Sequence, residues 1–329
     1  MEAGYENTRS RFVQGGGHQL SNCTSIWPSF YIVGAAKAGT SSLYEALRLH
    51  PEVFFPWIKE PNYFLSVAPP PLKLEGISSH CYNNPEAYQE LYKDAGNYRA
   101  TGDASVTYLW DEDAPRRIFQ VRPDARILII LRDPIERAYS HYLMLRTLRL
   151  EPESSFLKAL QVSQRRDKSY IWTGTLYVEV GLYFEQVKRY LTTFGSEQVL
   201  VLLTEHLNEN PKETMLRVTQ HLGIGPITAD DRELGAARNA FGSPRFPGLY
   251  QFASRRLISP DLRRKYLPLG VREWLRASSL LYSHRKPQMD KESRRFLQKI
   301  YEPDVARLEQ LLGYDLSALR RSWDKQRGA

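Results

Sequence analysis

Only two cysteines, Cys23 and Cys81, occur in the 329-residue chain, too few for a disulfide framework or a multi-cysteine metal cluster. Both read as unpaired thiols of a reducing compartment. Long hydrophobic runs are also missing: nothing approaches the roughly 20 apolar residues that span a bilayer, and nothing before Phe30 has the apolar run of a secretory leader. The expectation is a soluble, cytoplasmic protein with no membrane span. There is no internal repeat, and the one proline-dense stretch, Ala68 to Pro71, is too short to separate domains. Zinc-finger spacing, an aromatic RNA-binding motif and a basic helix with heptads are all lacking, so no nucleic-acid partner is expected.

What is present is an ordinary globular balance, 42% hydrophobic and 25% charged residues, enough to bury a core. Lys and Arg number 45 against 37 Asp and Glu, a formal charge of +8, which favours an anionic ligand. The basic residues are scattered, and a nucleotide-sized anion fits at least as well as a polymer. Residues 1–25 are polar and Gly-rich and read as a flexible N-terminal arm, with 26–329 as a single domain. Phe30 to Val33 is a short apolar run ending at Gly34, followed by a helical pattern through Leu43, Leu47 and Leu49 that Pro51 closes. The same grammar returns at Arg126 to Leu131, with Pro134 at a helix start, and at Val199 to Leu203, with a helix near Pro211 to Leu222. This alternation predicts an α/β fold with a central, mainly parallel sheet flanked by helices. Near the end, Phe296, Leu297, Ile300, Val305, Leu308, Leu311 and Leu312 form a stripe expected to pack on the core.

Between the first strand and its helix lies Gly34-Ala35-Ala36-Lys37-Ala38-Gly39-Thr40-Ser41-Ser42. Small side chains let backbone N–H groups approach a phosphate, and the helix N-terminus adds partial positive charge. Gly34 and Gly39 have the spacing of G-x-x-x-x-G-K-[ST], but Thr40 stands where a nucleoside triphosphatase needs lysine. The cation is Lys37, inside the loop. Taken alone, the loop reads equally well as a Gly/Ser structural turn. A second constellation runs Arg132-Asp133-Pro134-Ile135-Glu136-Arg137-Ala138-Tyr139-Ser140. Arg132 ends a buried strand, and Ser140 falls nearly two turns into the helix, where it can complement Arg132 on one phosphate. An Arg-Asp pair that merely caps the helix is the competing reading.

Lys37 to Ser42 resembles the 5′-phosphosulfate loop of the PAPS-dependent sulfotransferase family, PAPS being 3′-phosphoadenosine 5′-phosphosulfate, and Arg132 to Ser140 resembles its 3′-phosphate strand and helix. Leu49 to Val53, Lys59-Glu60-Pro61-Asn62-Tyr63-Phe64, Gly102-Asp103-Ala104-Ser105 and Lys286 to Asp290 resemble the branch of heparan sulfate sulfotransferases and their bacterial relatives. Matching pieces run from about residue 28 to 318.

The resemblance implies a P-loop NTPase-like three-layer fold and in-line sulfuryl transfer from PAPS, with no metal required, to a hydroxyl or amine of a carbohydrate or small-molecule acceptor. Lys37 would stabilise the leaving 5′-phosphate while Ala38, Gly39, Thr40, Ser41 and Ser42 hold it. Arg132 and Ser140 would clamp the 3′-phosphate, joined by Arg285 and Lys286. Glu60 maps onto the family's base, although a glutamate beside Lys59 equally reads as a simple ion pair. Asp103 is expected beside Glu60 in the acceptor-facing part. Ala104 stands where heparan-type enzymes have lysine, which weakens a heparan assignment. Asn239 and Arg245 read either as part of a mobile closing segment or as a surface turn. A small-molecule kinase and a non-catalytic polyanion-binding protein are the alternative classes.

Overall fold

The apolar runs become the middle of a sheet. The computed structural model describes residues 26–66, 73–74, 77–78, 82–165, 175–227, 243–244, 282–283 and 286–323. The expected arm at 1–25 lies outside them, as do Cys23, Cys81, Asn239, Arg245 and Arg285. In chain order the first half runs β1 (Phe30–Gly34), α1 (Thr40–Arg48), β2 (Val53–Phe54), β3 (Lys73–Leu74), β4 (Ile77–Ser78), α2 (Pro85–Glu90), β5 (Ala100–Asp103), α3 (Ala114–Val121), β6 (Arg126–Leu131) and α4 (Pro134–Thr147). There follow α5 (Phe156–Ser163), α6 (Tyr183–Phe194), β7 (Val199–Leu203), α7 (Thr204–Glu209), α8 (Pro211–Leu222), β8 (Ser243–Pro244), β9 (Tyr282–Ser283) and α9 (Lys291–Leu312).

Five strands form the main sheet in the order β2-β5-β1-β6-β7, and every neighbouring pair is parallel. Ile127 to Leu131 have no exposed surface, as a strand covered on both faces requires. Truncating one of them to alanine costs about 2–5 kcal/mol. The chain leaves β1 toward β2 at one edge and leaves β6 toward β7 at the other. A crevice therefore opens between adjacent β1 and β6 at their carboxyl ends, the place where such sheets bind ligands.

The helices pack where the sequence pattern sends them, with two corrections. Leu43 and Leu47 are fully buried on α1, but Leu49, just past its end, is 48% exposed. On α9, Leu297, Val305 and Leu308 are fully buried, whereas Leu311 faces outward. Within α9, Asp304 accepts hydrogen bonds from the N–H groups of Tyr183 (2.7 Å) and Phe184 (3.2 Å), so α9 caps α6 across a long sequence distance.

Candidate active site

Two strand-to-helix turns build the site. Where the chain leaves β1, a Cβ on Gly34 would lie 2.6 Å from that of Leu109, so only glycine permits this packing. Gly39 precedes α1 with φ 97°, a left-handed conformation that disfavours any side chain. No side chain caps α1 and its first turn carries no acid, which leaves its positive end to an external anion.

The second turn, after β6, is closed. Asp133 caps α4 through Oδ1, which accepts from Ile135 N–H (2.9 Å) and Glu136 N–H (3.3 Å). The same carboxylate receives Ser322 N–H and the Trp323 indole N–H, each at 3.2 Å. Arg132 projects from this turn, its guanidinium donating to the Lys37 carbonyl at 3.2 Å. Its own carbonyl accepts from the Tyr183 hydroxyl at 3.0 Å.

The turns are stitched by Thr204, whose hydroxyl lies within hydrogen-bonding distance of the Ala38 and Leu131 carbonyls and shares its one proton between them. Sequence reasoning missed Thr204 and Tyr183. A threonine directly after the third apolar run was the available signal, since it marks the carboxyl end of a sheet strand.

Lys37, Arg132, Lys59 and Glu60 come together. The Lys37 ammonium lies 3.6 Å from Met144 Sδ. Burial lowers its pKa, and the Arg132 and Lys59 charges lower it further, while Glu60 opposes them. Lys59 donates to the Ser41 hydroxyl at 2.6 Å and lies 3.7 Å from Glu60 Oε1. Burial raises the Glu60 pKa, and Lys59 and Lys37 pull it back. Four non-glycine residues of the described chain have positive φ: Lys37 (67°), Glu60 (61°), Asn62 (56°) and Arg149 (58°). Three of the four belong to this cluster, and such conformations persist only where surrounding contacts enforce them. Asn62 supplies the contacts, donating to the Glu60 carbonyl (2.8 Å) and accepting from Thr107 (2.8 Å).

Asp103 is placed differently from the expectation. It has no exposed surface and accepts hydrogen bonds from the hydroxyls of Tyr88 (2.7 Å), Ser105 (2.7 Å) and Tyr108 (3.0 Å). Burial raises its pKa to about 6 against those three hydrogen bonds, and the Glu60 charge adds to the rise. Enclosed in this way, it is linked toward Glu60 through Ser105, whose oxygen also accepts from Asn62 N–H at 3.2 Å. Ala104 is buried beside it.

Ser140 sits partly exposed on α4, on the same face as Glu136, four residues earlier. Lys286 reaches that face, paired with Glu136 at 2.5 Å and 5.1 Å from the centre of the Tyr139 ring. Burial works against the Glu136 charge, yet Lys286, Arg132 and Arg294 hold its pKa below the usual glutamate value. Among the described residues no group of three or more His, Cys, Asp or Glu gathers that could hold a metal ion. No helix among them is long and apolar enough to cross a membrane.

Comparison with known proteins gives the arrangement its context. The chain is 30% identical to carbohydrate sulfotransferase 15 of Rattus norvegicus over 256 residues, covering 63% of this chain and 46% of that one. It is 29% identical to heparan sulfate glucosamine 3-O-sulfotransferase 6 of Mus musculus over 205 residues, covering 62% and 54%. It thus spans about half the length of these curated relatives. A solved sulfotransferase from Alicyclobacillus acidocaldarius superimposes with a TM-score of 0.65 at 32% identity, over 90% of this chain and 100% of that one. The family model described as a sulfotransferase domain matches residues 28–311, and the chain belongs to that family.

Proposed function

We propose that this chain transfers a sulfuryl group from PAPS to a hydroxyl or amine of a carbohydrate or small-molecule acceptor by in-line displacement. The observation that carries the reading is the meeting of Lys37, Arg132 and Glu60 at the carboxyl ends of β1 and β6, at the mouth of an uncapped α1. The donor set fits the ligand: two cationic side chains from different turns and a free helix end match a nucleotide with phosphate at both its 3′ and 5′ positions. PAPS supplies the sulfuryl group, and with it the 5′-phosphate that must leave.

The residues of the chain divide the remaining work. Backbone donors at Gly39, Thr40 and Ser41 hold the 5′-phosphate, the Ala38 and Ser42 N–H groups being bonded to the Ala35 and Gly39 carbonyls, and Lys37 stabilises the charge that grows there. Arg132 and Ser140 bind the 3′-phosphate, with Lys286 adding positive charge beside them. Glu60 takes the acceptor's proton. Its pKa is raised by burial, with two lysines opposing the rise, which makes it a better base than an exposed glutamate. The names of the two relatives favour a carbohydrate acceptor, while Ala104 speaks against assigning heparan in particular.

A thermal-shift comparison followed by a transfer assay tests the reading. Adenosine 3′,5′-bisphosphate should stabilise the protein by about 2.7 kcal/mol at a hundredfold excess over its Kd, and labelled PAPS should pass label to a carbohydrate in an acceptor panel. Stabilisation by ATP with magnesium alone would favour a kinase instead. Binding of sulfated polymers with no nucleotide effect would favour a polyanion-binding protein.

A further inference from the structure

Lys59 touches both the phosphate-loop helix and the proposed base. An ammonium has three donors. One reaches the Ser41 hydroxyl at 2.6 Å, the charge faces Glu60 Oε1 at 3.7 Å, and the nitrogen stands 5.6 Å from the centre of the Tyr44 ring. Ser41 and Tyr44 are three residues apart on α1 and share a face. Lys59 is thus anchored to α1 at two points and to Glu60 at a third. Its side chain is 25% exposed and that of Glu60 32%, so the pair is partly screened from water.

The backbone gives this anchoring a purpose. Glu60 has φ 61° and Asn62 φ 56°, conformations that other contacts must enforce. On one side Asn62 enforces them, tied to Thr107 and Ser105. On the other side Lys59 is what connects the Glu60 carboxylate to α1. Because Ser41 accepts from Lys59, its own proton remains available to a further partner.

We infer that Lys59 is a positioning residue whose ammonium clasps Ser41 and the Glu60 carboxylate together, setting the proton acceptor relative to the phosphate loop. The inference rests on the Glu60 reading for its catalytic meaning but not for its geometry. Among the described residues, the charges that act on Glu60 are Lys59 on its own segment, Lys37 on the phosphate loop and, from within its enclosure, Asp103 on β5. The two lysines favour its charged form, and Asp103 disfavours it. Losing Lys59 therefore raises the pH at which Glu60 gains a proton. Losing Ser41 releases Lys59 to close on Glu60 and lowers that pH.

The test is a ¹³C NMR titration of the Glu60 side-chain carboxyl, assigned by comparison with Glu60→Gln, in Lys59→Met, Lys59→Arg and Ser41→Ala. The midpoint should rise by about one to two pH units in Lys59→Met, stay near the wild-type value in Lys59→Arg and fall in Ser41→Ala. The acid limb of kcat should follow each shift, with KM for PAPS in the two Lys59 variants within about threefold of wild type. An unchanged midpoint in folded Lys59→Met overturns the clasp whichever group is the base. If that variant does not fold, an unmoved or raised midpoint in Ser41→Ala overturns it equally. A tenfold or larger rise in KM for PAPS with an unmoved midpoint would make Lys59 a donor ligand instead. Midpoints that shift without moving the acid limb would leave the clasp standing and remove Glu60 as the base.

Discussion

The two strand-to-helix turns of the site use the same local grammar and finish it in opposite ways. At α1 the cap position is Gly39 in a left-handed conformation, no side chain caps the helix and no acid occupies its first turn. At α4 the cap is Asp133, Pro134 fills the first helical position, Glu136 lies in the first turn and the indole of Trp323 covers the cap. One helix end is kept open for an anion. The other is sealed within the protein and presents an arginine in its place. On the proposed reading the open turn is where charge changes during reaction, and the sealed turn is a rigid mount for Arg132. Changes at the open turn should fall on kcat, and changes at the sealed turn on ligand affinity or stability.

The largest effect is expected at Glu60, the proposed proton acceptor beside the open turn. Glu60→Gln should lower kcat by roughly 10²–10⁴-fold, the range for a positioned general base, with little change in affinity for adenosine 3′,5′-bisphosphate. In the wild type the rate should fall as pH drops through the Glu60 pKa, and that limb should vanish in the variant. Next, Lys37→Ala should cost about 10²–10³-fold in kcat while circular dichroism and Tm stay near wild type. A variant that kept its turnover would return the loop to a structural turn.

The remaining variants probe the scaffold. Asp103 holds its proton up to about pH 6 in the folded chain against an ordinary value of 3.8. The folded state therefore binds more protons than the unfolded state between about pH 4 and 6, and stability falls as pH rises through that window. The loss amounts to about 3 kcal/mol. Asp103→Asn should lose this pH dependence, which urea unfolding at pH 4 and pH 7 would reveal. Parallel pH profiles for the two proteins would show that the carboxyl titrates normally. Asp133→Ala should lower stability by about 2 kcal/mol and leave kcat nearly intact in the folded fraction. A selective fall in kcat would blur the division between the two turns.

Much of this was legible from the sequence, and the exceptions have physical reasons. β1, β6 and β7 announce themselves because strands buried on both faces are written as unbroken apolar runs. β5, Ala100-Thr101-Gly102-Asp103, reads like a loop because it contains small and polar residues. A Cβ on Gly102 would lie 2.4 Å from atoms of the Phe30 and Phe55 rings, so glycine there is what lets those rings meet. Asp103 is expected at the acceptor only because its segment resembles the acceptor-facing part of the family. Its burial depends on Tyr88, Ser105 and Tyr108 converging on it, and the spacing of those residues gives no hint that they will meet. Lys37 and Arg132 stand out in the sequence because short loops at strand ends leave few places for a cation to point. Thr204 and Tyr183 act by hydrogen bonding to backbone carbonyls; the place of Thr204 directly after an apolar run hints at its role, whereas that of Tyr183 leaves no mark in sequence.

The central claim is that the two turns grip the two phosphate-bearing ends of one nucleotide. Isothermal titration of wild type and Arg132→Ala with adenosine 3′,5′-bisphosphate and with adenosine 5′-monophosphate tests it most directly. The account predicts that the wild type prefers the bisphosphate by about 10–100-fold, as expected for a charged hydrogen-bonded contact worth about 1.5–3 kcal/mol, and that Arg132→Ala loses most of this preference while binding the monophosphate nearly as before. Equal losses for both ligands would contradict it and make Arg132 a brace for the Lys37 carbonyl alone.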